Sequence, residues 1–169
     1  MPRTTFAGHP LHPQLITMPA GLLPFSLLLD LLYLKTGRHS YAEAAYYTMV
    51  GGFVGGLAAG AAGAADYLTI PPDAAAKKTA NTHAALNIGL LALTGVNLCL
   101  RSGRRKSGTG PALLSLVGNV GLFVSAWYGG HLVYEHGMRV KPAGSPEHEP
   151  ELKLPGDERI EAAIQSFSE

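Results

Sequence analysis

The chain has 169 residues, 47% of them apolar and only 15% charged, with a formal net charge of +1. That length holds one compact domain or one small bundle. Its single cysteine, Cys99, excludes an internal disulfide and any zinc or iron–sulfur site built from the cysteines of one chain.

The near-neutral total conceals two unlike parts. Residues 1–134 carry nine Lys/Arg against four Asp/Glu, whereas residues 135–169 carry four against eight. An apolar body over 1–138 is therefore expected to precede a polar, mildly acidic tail over 139–169. Met1 to Pro13 has one Arg, two His and three Pro, without the short apolar core of a cleavable signal. The first span itself is expected to direct insertion.

A spanning helix needs about 20 mostly apolar residues, because the hydrocarbon layer is about 30 Å thick and each residue rises about 1.5 Å. Four stretches qualify, at about 13–34, 44–65, 83–100 and 112–134. The expected fold is all-α: a four-helix transmembrane bundle running up, down, up and down. A water-soluble bundle would need a polar face on every helix, and the second and fourth stretches have none.

The first span contains Pro13, Pro19 and Pro24. Pro13 suits a first helical turn. Pro19 and Pro24 are expected to kink the helix and free carbonyls, with Thr17 and Ser26 as candidate partners. The second span carries Gly51/Gly55, Gly52/Gly56 and Gly56/Gly60, each a GxxxG spacing. Small residues so spaced let helices approach closely in lipid, here on more than one face and so against two neighbours.

The connections are short and polar: Lys35 to Glu43, Asp66 to Thr82, and Arg101 to Gly110. Near the spans, one side has Lys35, Arg38, Arg101, Arg104, Arg105 and Lys106, and the other has Arg3, Lys77, Lys78, Arg139 and Lys141. The excess of cations, weighted by the short third loop, predicts loops one and three in the cytoplasm and both termini outside an inner membrane. In the tail, Ile160, Ala163, Ile164 and Phe167 recur at helical spacing behind Asp157 and Glu158, predicting a short amphipathic helix over 157–168.

Seven histidines occur: His9, His12, His39, His83, His131, His136 and His148. Antiparallel threading brings the start of span one, the end of span two, the start of span three and the end of span four to one surface. That surface should gather His9, His12, Asp66, His83 and His131. Asn87 lies one turn deeper than His83 on the same face, and Trp127 one turn deeper than His131. Ionisable residues at such depth usually face the bundle interior, paired. Proline after His9 and His12 biases both towards extended backbone, and His12, nearer the span, is the better placed.

Neutral imidazole ligates haem iron, copper and zinc, and four readings stay open. A b-type haem would take His83 and His131 as axial ligands, with His12 as the substitute for either and Asn87 and Trp127 alongside. A single copper or zinc ion would take His9, His12, His83 and His131, with or without Asp66. The same side chains could form a proton or substrate path, or simply satisfy one another at the interface. The absence of C-x-x-C-H excludes covalent c-type haem. The first reading makes the protein an electron-transfer subunit or redox sensor, with a redox protein or quinone as partner. The last makes it a cofactor-free structural or assembly partner. The lipid bilayer is the expected environment, and self-association is open. Neither a phosphate-binding glycine loop nor HExxH nor a Gly-x-Ser-x-Gly elbow occurs, so no reaction is assigned. The basic cluster is too small, and too close to the membrane edge, to indicate nucleic-acid binding.

The run Gly8-His9-Pro10-Leu11-His12-Pro13, followed by a proline-containing apolar helix, resembles a prokaryotic membrane family known as domain of unknown function family 2231. The resemblance extends through Asp66, Thr82-His83 and Gly129-Gly130-His131, covering roughly residues 6–138. It implies a small four-helix membrane protein without an agreed reaction, and draws attention to His9, His12, His83 and His131.

Overall fold

A computed structural model describes residues 5–6, 9–101 and 107–138. The amphipathic helix expected over 157–168, His148 and the cations at 104–106 lie outside the described residues. Two-residue strands β1 (Thr5–Phe6) and β2 (His9–Pro10) pair antiparallel, Phe6 opposite His9. Five helices follow: α1 (Leu11–Leu15), α2 (Thr17–Thr36), α3 (His39–Tyr67), α4 (Ala76–Arg101) and α5 (Thr109–Tyr134). Together α1 and α2 make one span, so four spans of 26, 29, 26 and 26 residues are long and apolar enough to cross a membrane. The shorter ones measure about 39 Å, more than the hydrocarbon layer.

The packing is inverted relative to a water-soluble bundle. Large apolar side chains such as Ile88, Val117 and Phe123 point outward, while Ser26, Asp30, Thr94, Asn97, Ser115, Asn119 and Ser125 are buried. In lipid there is no hydrophobic gain from burying Leu against Leu. Small and hydrogen-bonding residues hold helices together instead. Packing is most extensive between α2 and α3 and between α4 and α5, while α3–α4 and α2–α5 contacts close the ring.

Glycines set the approach of α3. A Cβ on Gly52 would lie 2.7 Å from the Leu23 side chain, and one on Gly55 would lie 2.6 Å from Met18 Cβ, both on α2. Gly56 and Gly60 instead face Leu91 of α4. The glycine run therefore serves two neighbours, as its spacing indicates.

Three local expectations are corrected. His12 is helical, because α1 starts at Leu11 and Pro13 sits in its first turn, where no donor is lost. Pro19 likewise falls in the first turn of α2, leaving Pro24 as the interior proline. Thr17 donates to Gln14 O at 2.7 Å, but Ser26 crosses to Ala45 O of α3 at 2.9 Å instead of serving its own helix. The helices also outrun the apolar stretches. Gly37, at φ +69°, ends α2 in left-handed conformation and donates to Tyr33 O, so the first connection is only two residues long. Helix α4 begins at Ala76, placing His83 two turns inside it and not at its start. Its polar first turn is anchored by Lys77, whose Nζ lies 3.6 Å from the Tyr67 ring centroid and 3.4 Å from Ile70 O.

Candidate functional site

The histidine end is built by α1, α3, α4 and α5. His12 Nδ1 lies 2.8 Å from Ala59 O of α3, and His83 Nδ1 lies 2.9 Å from Ser125 O of α5. A carbonyl oxygen can only accept, so in both rings Nδ1 carries the proton and Nε2 the lone pair. The two rings are edge-to-face with centroids 6.3 Å apart. Glycines make the seats: a Cβ on Gly63 would stand 2.9 Å from His12 Nδ1, and one on Gly129 would stand 3.0 Å from His83 Cε1. Each imidazole thus lies flush against a neighbouring helix backbone.

Asn87, one turn below His83, offers its Nδ2 to three acceptors: His83 O at 2.8 Å, Ser125 Oγ at 2.8 Å and His83 Nε2 at 3.1 Å. An amide nitrogen has two hydrogens. The two shorter contacts satisfy both, so the lone pair of His83 Nε2 is the least committed of the three acceptors.

His131 does not join this pair. Residues two apart on a helix differ by about 200° in direction, and Ser125 and Gly129, one turn apart, are the residues of α5 that meet His83. His131 is instead stacked on Trp127, with ring centroids 5.4 Å apart and planes at 16°, and it meets His136 edge-on at 5.3 Å. Trp127 is 65% exposed. Asp66 is buried at the end of α3, and its carbonyl accepts from Thr69 Oγ1. His9 lies in β2, its side chain outside the described residues. Among the described residues, no group of three or more His, Cys, Asp and Glu is arranged to hold a metal ion. The five-residue cluster expected from topology resolves into a His12–His83 pair and a separate Trp127–His131–His136 stack.

A second polar centre lies at the opposite end, and sequence reasoning missed it. Arg101 and Asp30 form a bidentate ion pair, Nη1 to Oδ1 and Nη2 to Oδ2, both at 2.7 Å, with side chains 1% and 0% exposed. Arg101 Nε donates to Asn97 Oδ1 at 2.9 Å, and Ser107 and Ser115 hydroxyls both donate to the carboxylate. Asn97 Nδ2 in turn reaches Pro111 O and Ser115 Oγ. Hydropathy alone places Arg101 in the third loop. It ends α4 and turns inward, because Asp30 is the anion within reach. A sequence signal existed: His83, Asn87, Thr94, Asn97 and Arg101 fall at spacings of four, seven, three and four, one seam of a heptad along α4.

Such a paired, fully bonded charge holds α2, α4 and the start of α5 in register and needs no ligand. The histidine pair is different, since fixed Nδ1–H bonds leave a lone pair on each Nε2, that of His83 with Asn87 Nδ2 at 3.1 Å. That arrangement is the usual support of a metal-ligating histidine. No curated protein and no solved structure matches the chain. A family model described as "Predicted membrane protein (DUF2231)" matches residues 8–142, and by that match across most of its length the chain belongs to this family of membrane proteins.

Proposed function

We propose that the protein is a metal-binding membrane protein in which His12 and His83 share one ion through their Nε2 atoms. What supports this reading is the 6.3 Å separation of two imidazoles whose Nδ1–H groups are both fixed on carbonyls. Two metal–nitrogen bonds of about 2.0–2.1 Å, plus the half-widths of two rings, separate the centroids by about 6 Å. The rings lie flush against Gly63 and Gly129, which favours a bare copper or zinc ion. The same separation serves haem iron between axial imidazoles, the second reading, with His12 replacing His131. In that form the protein is an electron-transfer subunit or redox sensor, and a quinone or redox protein is its partner. In both forms loops one and three lie in the cytoplasm and the termini outside.

The test is an absorption spectrum and elemental analysis of protein purified in mild detergent from haem-replete cells, before and after copper or zinc loading. One copper or zinc per chain without a Soret band supports the bare ion, and a Soret band that shifts on reduction supports haem. In either case His12→Ala and His83→Ala should abolish binding while His131→Ala retains it. Metal held at full stoichiometry by a His12→Ala/His83→Ala variant would sink the assignment, as would protein that neither carries nor takes up metal.

A further inference from the structure

Between the two polar centres, α2, α3, α4 and α5 line a cavity of about 20 Å³, with Leu23, Met49 and Leu90 as apolar wall and Thr94, Ser115 and Asn119 as polar wall. Asn119 is 6% exposed. Its Nδ2 donates to Ser115 O at 2.8 Å and Leu23 O at 3.3 Å. Two carbonyls can face only the nitrogen of that amide, so the placement of Nδ2 and Oδ1 is fixed by their chemistry. Asn119 Oδ1 is then left buried without a hydrogen-bond partner among the described residues, and it is the one such side-chain atom there.

An orphaned carbonyl oxygen in a membrane interior is costly, of the order of 1–3 kcal/mol in protein mutants. No side-chain donor of the cavity wall is left over. Asn97 Nδ2 is engaged by Pro111 and Ser115, and the Thr94 hydroxyl donates to Leu90 O at 2.8 Å. A hydroxyl that donates still has lone pairs, so the cavity offers two acceptors, Asn119 Oδ1 and Thr94 Oγ1, in want of a donor. Room for one water takes about 10–15 Å³, and a buried water takes two to four polar partners.

We propose that this cavity is a binding site for a single structural water, which donates one hydrogen to Asn119 Oδ1 and the other to Thr94 Oγ1. The water ties α4 to α5 midway along the seam. Its chemistry, two donated bonds between two acceptors, cannot be supplied by a lipid chain or by a metal cation, neither of which has a hydrogen to donate, and the walls carry no anion. The site takes water and rejects larger ligands by volume alone.

The test is a structure of the full chain in detergent or nanodisc at a resolution that shows solvent, together with a double-mutant cycle on thermal unfolding. The expected density is one peak within 3.2 Å of both oxygens, roughly the outer limit of a hydrogen bond. Thr94→Val should lower Tm in the parent and much less in an Asn119→Leu background, because the two side chains communicate only through the water. An empty cavity with Asn119 Oδ1 unpaired would overturn the proposal, and so would equal Tm losses for Thr94→Val in both backgrounds. If Asn119→Leu fails to fold, the density alone decides.

Discussion

Asp30 accepts four hydrogen bonds while its side chain is wholly buried: two from Arg101 and one each from Ser107 and Ser115. Each partner comes from beyond its own helix. A carboxylate so placed cannot lose Arg101 cheaply, since the remaining charge would be buried and unpaired. Asp30→Leu or Arg101→Leu alone should cost about 3–5 kcal/mol. The double variant should recover most of that loss, because two apolar side chains of similar bulk leave no charge to desolvate. Chemical or thermal unfolding in detergent measures all three. Losses that simply add in the double variant would show that the pair is not coupled. This pair was not legible in the sequence. Asp30 and Arg101 stand 71 residues apart, and Arg101 begins the densest cationic run, where a loop assignment costs nothing. Asn87 was legible, because helical spacing alone puts it one turn from His83, and the structure bonds it to the His83 carbonyl.

At the scale of the helix, the glycines of α3 separate into those that set a distance and those that merely occupy a turn. Gly55 meets Met18 Cβ, an atom next to the backbone, so a methyl there forces α2 and α3 apart. Gly60 has only Leu91 Cδ1, at 3.7 Å, an ordinary contact. Gly55→Ala should therefore lose about 1–3 kcal/mol from overpacking, partly offset by up to about 1 kcal/mol of helix propensity. Gly60→Ala should be neutral or stabilised by about that same propensity term. A pair of Tm values checks the order, and a Gly55→Ala protein as stable as Gly60→Ala would deny the close approach. The sequence showed that α3 packs tightly on two sides but could not say which glycine meets which neighbour. Spacing gives the faces of a helix and not the rotation that aims them. The same ignorance of rotation led topology to group His131 with His83. Both lie at the same end, but α5 turns Gly129 towards His83 and leaves His131 stacked on Trp127.

For the whole molecule, four apolar runs were enough to read the bundle, because the bilayer demands length and hydropathy and little else. The helix ends were less legible. Ala76 to Thr82 is polar yet helical, since hydropathy reports where lipid ends and not where the helix does. The ion pair also changes the charge balance that orients the bundle. Arg101 is neutralised by Asp30 within the bundle, so six cations on the side of loops one and three become five, equal to the five near the termini and loop two. Any remaining bias comes from position, since Arg104, Arg105 and Lys106 crowd one short loop and short loops weigh most. Replacing those three with Gln leaves Lys35 and Arg38 against five cations on the opposite side. The variant should then insert in inverted or mixed orientation, read by reporter fusions after Lys141, while Arg101→Gln paired with Asp30→Asn should leave the orientation of the parent unchanged. A triple variant that keeps a single, parental orientation would mean that the loop charges do not set it, and that the hairpins insert by the order and hydropathy of their spans.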